Sequence, residues 1–223
     1  MRGNGRPPKP GTLGVRSTRC ARSVSSFVYI FSIFDVISQE LTECEESSPM
    51  IPTTSGQFRS LFEYLKTYNA VSKDTKPVLL HIGCGDGRVG VTATRFDLCS
   101  QTIGIDISPL RVHTAIKLAF EQQVLSKCHF FQAKMFEDPS LFLGKPDLLA
   151  EKIWDADVVF LHAFPSVLKK LTPLLAKLSD DNYEYMLAKQ GKKKRKFITL
   201  MYHLPADLSV NPRFIQGTDL CVY

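Results

Sequence analysis

No acidic residue precedes Asp35. Arg2, Arg6, Lys9, Arg16, Arg19 and Arg22 stand before it, and these six account for the formal net charge of +6. From Asp35 onward 22 basic residues face 22 acidic ones. The main body therefore has no cationic excess of the kind that marks a nucleic-acid surface, and no nucleic-acid partner is expected. Paired cysteines are also missing. The six, Cys20, Cys44, Cys84, Cys99, Cys128 and Cys221, are scattered, with no Cys-x-x-Cys and no cysteine–histidine spacing suited to zinc. That excludes a disulfide scaffold and a zinc motif, so reduced thiols and no metal are expected. No apolar run approaches the roughly 20 residues that cross a bilayer; the apolar stretch from Phe27 to Ile37 is broken by Asp35.

What the chain does have is a strand-like run entering a glycine turn, Pro77-Val-Leu-Leu-His-Ile-Gly-Cys-Gly-Asp-Gly-Arg88. Val78, Leu79, Leu80 and Ile82 make an apolar run of strand length. Gly83, Gly85 and Gly87 alternate after it, permitting positive φ and close approach of a ligand to bare backbone. Free amides at the start of the next helix favour electron-rich groups. A second strand, Thr102 to Asp106, ends in a carboxylate, the group that a Rossmann-like site uses to hold ribose hydroxyls. A dinucleotide fingerprint needs a third glycine at the sixth position, where this chain has Arg88. The nucleoside expected here therefore lacks a pyrophosphate, which argues against a nicotinamide-dependent reductase.

Strand and helix patterns then alternate. A helix carrying Phe58, Leu61, Phe62 and Leu65 comes first, with Thr54 or Ser55 as its cap. A helix from Val89 to Leu98 follows the glycine turn. Ser108-Pro109 opens a helix from Leu110 to about Leu125. Cys128 to Gln132 reads as a third strand, Ala156 to Leu161 as a fourth, and Phe197 to Tyr202 as a fifth. A leucine-rich helix spans Val167 to Leu178. Phe214-Ile215 and Leu220 to Tyr223 read as an antiparallel hairpin bent at Gly217. The expected fold is α/β and Rossmann-like, a mostly parallel sheet with helices on both faces and a C-terminal antiparallel hairpin. Residues 1–48 are expected to be a basic tail and linker, and residues 49–223 the domain. The acid-free start matches a mitochondrial targeting segment, with a plain basic arm on a cytoplasmic protein as the alternative. His81 reads as structural. Lys192 to Lys196 reads as a solvated loop, with contact to anionic lipid or an acidic partner as the alternative.

The glycines at first, third and fifth places resemble motif I of class I, S-adenosylmethionine-dependent methyltransferases. From about residue 49 onward the chain resembles the small protein-lysine methyltransferases that modify the ATP synthase c-subunit and the adenine nucleotide translocase. The resemblance rests on Pro49-Met-Ile-Pro-Thr53, Gly83-Cys-Gly-Asp-Gly-Arg88, Ala156 to Leu161 with the later Pro165, and Gln216 to Tyr223. It implies S-adenosyl-L-methionine as cofactor and a protein substrate with an accessible lysine. It also implies that Pro52 and Thr53 close over the site. In that frame Gly83, Cys84, Gly85 and Gly87 floor the methionine part. Asp86 orients the loop or meets the amino group, Asp106 takes the ribose, and Ile107 and Met135 lie by the adenine. His162, Phe164 and Pro165 would line the acceptor pocket, with His162 as a proton acceptor. Lys134 stands where such enzymes often carry an acid near the adenine. A monomer is expected, with membrane-surface association through the N-terminal segment. The alternatives are a catalytically inactive methyltransferase-like assembly protein and a small-molecule methyltransferase.

Overall fold

The computed structural model describes residues 53–71, 75–135, 148–179, 195–208, 213–214 and 217–223, all within the compact unit Cys44–Tyr223. The expectations for the basic tail, for Pro52 and for Lys192 to Lys194 fall outside the described residues.

Helix α1 spans Ser55–Val71. Thr54 caps it reciprocally: the Gln57 amide donates to Thr54 Oγ1 at 3.4 Å, and the Thr54 amide donates to Gln57 Oε1 at 2.9 Å. This is the glutamine form of a capping box, which satisfies two otherwise orphaned donors. Strand β1 (Val78–Ile82), helix α2 (Arg88–Arg95) and strand β2 (Gln101–Asp106) follow. Helix α3 (Pro109–Glu121) begins as expected, with Pro109 in its first turn and Ser108 accepting from the Arg111 amide. Strand β3 is Cys128–Gln132, helix α4 Leu148–Asp155 and strand β4 Val158–Leu161. The leucine-rich stretch forms two helices rather than one, α5 (Pro165–Lys170) and α6 (Thr172–Ser179). Leucine periodicity continues across the break, so the pattern alone hides it. Strand β5 (Lys196–Leu200) ends before Met201, whose backbone is left-handed at φ 68°. Strands β6 (Arg213–Phe214) and β7 (Leu220–Val222) form the expected hairpin.

The seven strands run in the order β3-β2-β1-β4-β5-β7-β6. The pairs β1–β2, β2–β3, β1–β4 and β4–β5 are parallel. β7 lies antiparallel to β5 and to β6. The chain steps outward from β1 to β3, then returns to the other side of β1 with β4. The strand order therefore reverses between β1 and β4, and in such sheets ligands bind beyond the carboxyl ends at that reversal.

Side-chain alternation along the strands divides the core in two. Leu80, Ile82, Val159 and Leu161 pack with Ile153 of α4, Leu168 of α5 and Leu174, Leu175 and Leu178 of α6. Leu79, Val158, Phe160 and Ile198 pack on the opposite face with Leu61 and Leu65 of α1 and Val89 and Ala93 of α2. Burying a large apolar side chain contributes about 1.5–3 kcal/mol, so packing on both faces stabilises the strands from which the glycine turn leaves.

Candidate functional site

The glycine turn is tied to the tip of β2. The amides of Gly83 and Cys84 both donate to the Ile105 carbonyl, at 2.8 and 3.0 Å. The Gly85 amide donates to Asp106 Oδ2 at 2.8 Å, and the Ser108 amide donates to Asp106 Oδ1 at 2.9 Å. Asp106 is only 5 % exposed, and Arg111 Nη1 lies 3.9 Å from its Oδ1. An ionised carboxylate has about four acceptor positions; two are used here on the protein's own backbone. Asp106 thus builds the turn as well as facing the cavity beside it.

That cavity has a volume of about 390 Å³, within the usual range of small-molecule sites. Gly83, Cys84, Gly85, Asp86, Asp106, Ile107, Met135, Thr53, His162 and Phe164 all line it. The topology brings them together: the turn follows β1, Asp106 and Ile107 end β2, Met135 follows β3, and His162 and Phe164 follow β4. Two expected residues lie off the wall. Gly87 (φ 75°) faces α3 instead, where an added Cβ would sit 2.5 Å from Ala115 Cβ and 3.0 Å from Phe130 Cζ. Its lack of a side chain serves helix packing. Pro165 is exposed and occupies the first turn of α5, where its missing N–H is harmless. Lys134 is exposed and off the wall too, whereas its neighbours Ala133 and Met135 line the cavity.

Charge states follow from surroundings. Burial opposes ionisation of Asp86, but the hydrogen bonds from Arg88 outweigh it and hold the carboxyl below the usual range. Arg88 Nε lies 2.9 and 2.8 Å from the two Asp86 oxygens. These bonds tie Asp86 to Arg88 within its own loop. Burial, and then Asp106, push the Cys84 thiol up, which makes it a protonated space-filler and not a nucleophile. His162 is lowered by burial. Its Nδ1 lies 3.1 Å from Thr53 Oγ1, across 109 residues of chain. Phe164 meets Tyr202 at a tilt of 40°, with ring centroids 6.2 Å apart.

Sequence reading missed Arg111, Lys170 and Ser166 on the wall, and it assigned His81 to structure although His81 lines the cavity. The strand alternation that places Leu79 also places His81, and that was the available signal. The basic run is corrected at its end. Arg195 is half-buried, donates to the carbonyls of Trp154, Ala156 and Leu178 at 2.7, 2.9 and 3.1 Å, and lies over the Trp154 ring. It is a structural clamp rather than a solvated charge.

The fold is that of the class I S-adenosylmethionine-dependent methyltransferases. An RNA methyltransferase from Salinibacter ruber, solved with S-adenosyl-L-homocysteine, superposes with a TM-score of 0.52, covering 78 % of this chain and 92 % of that one at 22 % identity. A SAM-dependent methyltransferase from Geobacter sulfurreducens covers 75 % of this chain and 54 % of its own at 17 % identity and a TM-score of 0.43. By sequence, a protein-lysine N-methyltransferase of Saccharolobus islandicus is 26 % identical over 129 residues, 58 % of this chain and 68 % of that protein. No protein-family model matches the chain.

Proposed function

We propose that this chain is an S-adenosyl-L-methionine-dependent methyltransferase that modifies a lysine side chain of a protein. The observation that carries the cofactor reading is the emptiness above Gly83. Gly83 is left-handed at φ 74°, lines the cavity, and an added Cβ there would meet no protein atom within 4 Å. Gly87, four residues later, is crowded where a Cβ would stand, by Ala115 and Phe130. The space over Gly83, with the Asp106 carboxylate alongside, fits a nucleoside and its thioether chain. The cofactor supplies an activated methyl group; the protein supplies alignment and electrostatics. Gly83 and Gly85 would floor it, Asp106 would accept from ribose hydroxyls with its remaining lone pairs, and Ile107 and Met135 would bracket the base.

A lysine acceptor is supported by the relative from Saccharolobus islandicus and by the balanced charge after Asp35, which gives no electrostatic footprint for RNA. A free lysine has a pKa near 10.4, so it must lose a proton before it can attack. Half-buried Phe164 on the cavity wall would help to desolvate the amine, and His162, lowered by burial, would accept its proton. The mitochondrial address and membrane-surface association rest on residues 1–37 and are tested by locating the tagged chain in cells. The test of function is direct. The full chain is incubated with methyl-labelled cofactor and organelle extract, and label is sought on lysine after hydrolysis. Label on RNA instead would replace the acceptor, and absence of cofactor binding by folded protein would leave the methyltransferase-like assembly role.

A further inference from the structure

Two phenylalanines stand in solvent at the end of the sheet away from the cavity. Phe96 and Phe120 are each 64 % exposed. Phe96 caps the C-terminus of α2, and Phe120 lies in the last turn of α3. Each of these helices leads from the carboxyl end of one strand to the amino end of the next parallel one. Both rings therefore lie at the amino edge, opposite the glycine turn. A single exposed apolar side chain needs no explanation, but these belong to a longer aromatic surface. Phe58 and Phe62 of α1 meet edge-on with ring centroids 5.7 Å apart, and Phe62 meets Phe96 at 6.4 Å. Phe58 and Phe62 are half-buried on the core beneath, which anchors the row. Arg95 of α2 donates to Gln122, the residue that caps α3, and so joins the two turns that carry Phe96 and Phe120.

The charge around these rings is unequal. On α1, Arg59 stands three residues before Phe62 and Lys66 four after it, spacings that share one helix face. Arg95 precedes Phe96, and Lys117 stands three residues before Phe120. Lys76 bonds Asp97, which follows Phe96, and Lys127 acts on the same carboxylate. Against these six cations stand three carboxylates, each already partnered: Glu63 by Lys66, Asp97 by Lys76 and Glu121 by Lys117. Exposed Arg59, Arg95 and Lys127 have no carboxylate in ion-pair contact among the described residues. Exposed rings with an excess of cations around them complement a layer that is apolar within and anionic at its surface, as an anionic bilayer is. An acidic protein would offer the same charge, but proteins seat their anchors in pockets and grooves, whereas Phe96 and Phe120 themselves project from helix ends. No helix among the described residues is long and apolar enough to cross a membrane, so the contact is a peripheral one.

We propose that the amino edge formed by α1 and the last turns of α2 and α3 is a peripheral docking surface for an anionic lipid bilayer. Phe96 and Phe120 enter the headgroup region, and Arg59, Arg95 and Lys127 face lipid phosphates. The cavity, at the carboxyl edge, is then turned away from the lipid and left open. The proposal is independent of methyl transfer and of any contribution from residues 1–37. The full chain is titrated with vesicles of phosphatidylcholine alone and with vesicles that also hold about 30 % phosphatidylglycerol, and bound protein is read by flotation. Residues 1–37 are common to every variant, so differences between variants report the folded surface. The double variant Phe96→Ser, Phe120→Ser is expected to bind anionic vesicles at least about tenfold more weakly than the wild type. The double variant Arg59→Gln, Arg95→Gln is expected to lose about tenfold on anionic vesicles and to stay within about twofold on neutral ones. Circular dichroism checks the fold, and the arginine pair carries the test if the phenylalanine pair does not fold. Losses below about twofold for both pairs on anionic vesicles would overturn the surface. An equal effect of the arginine pair on neutral vesicles would overturn its preference for anionic lipid. Self-association of the wild type, abolished by the phenylalanine pair while lipid binding stays unchanged, would overturn it in favour of a second copy of this chain.

Discussion

Two alanine substitutions in the glycine turn separate a site from a packing contact. Gly83 and Gly87 share a left-handed backbone, φ 74° and 75°, so the conformational penalty for alanine is the same at each, about 1–2 kcal/mol. It is partly offset, by about 0.4–1 kcal/mol, because alanine also restricts the unfolded chain. At Gly83 nothing further is added, since the new Cβ has no neighbour within 4 Å. The expected net cost is about 1 kcal/mol of stability. At Gly87 the new Cβ meets Ala115 Cβ at 2.5 Å and the Ala115 Cα at 3.0 Å. Neither can swing away, so α3 must shift, which adds about 1–3 kcal/mol and brings the total to about 2–4 kcal/mol. The order reverses for binding. The Gly83→Ala methyl projects into the cavity and is expected to weaken S-adenosyl-L-homocysteine at least about tenfold, or about 1.4 kcal/mol. Folded Gly87→Ala is expected to bind within about threefold of the wild type. Denaturant unfolding reads the first quantity and calorimetry the second. If Gly83→Ala bound like the wild type, or were the less stable of the two, the assignment of the space over Gly83 to a ligand would be refuted.

Asp106→Asn preserves shape but puts an NH₂ where one of two backbone amides now donates, so it is expected to cost about 1–3 kcal/mol in denaturant unfolding and to weaken cofactor binding with it. Arg195→Ala removes a donor from three carbonyls and is expected to cost about 2–4 kcal/mol, a loss visible in the same unfolding assay and only partly restored by lysine. The His81 imidazole, lowered from 6.5 to about 3 by burial first and by His162 second, makes stability acid-sensitive. The native ring stays neutral while the unfolded one protonates, so the contribution is intact above pH 6.5 and lost as pH falls from there toward about 3. The slope approaches about 1.4 kcal/mol per pH unit, and the unfolding curve of His81→Leu should lack it; parallel curves for the two proteins would show that His81 does not titrate this way.

The central strands were legible because β4 is an unbroken apolar run and β1 is broken only by His81, as suits strands buried on both faces; the strand order was not read from the sequence. The site's outline was legible for a related reason. Gly83 and Asp106 fall at strand ends, and in a parallel sheet the strand ends share one edge. What was not legible depends on contacts between distant segments. Nothing near Gly87 in sequence announces Ala115, and nothing near Arg195 announces the Trp154 and Leu178 carbonyls. Arg195 sits in a run of like charges, a pattern that describes solvated loops well until one member finds buried acceptors. Pro165 fits both a pocket and a helix start, and local sequence does not choose between them.

Thr53 and His162 show how a segment ahead of the first helix takes part in a site built by the sheet. Thr54 and Gln57 fix where α1 begins, and α1 is fixed on the sheet by Leu61 and Leu65. Thr53 stands one residue before the cap. The hydroxyl meets His162 Nδ1, and whichever partner donates selects the tautomer and so the character of Nε2 inside the cavity. With Nδ1–H donating to Thr53, Nε2 is a bare acceptor, the form that takes a proton from an amine. With Thr53 donating, Nε2–H becomes a donor and cannot take that proton. The chemistry proposed for His162 thus requires the first arrangement, in which the threonine serves as acceptor.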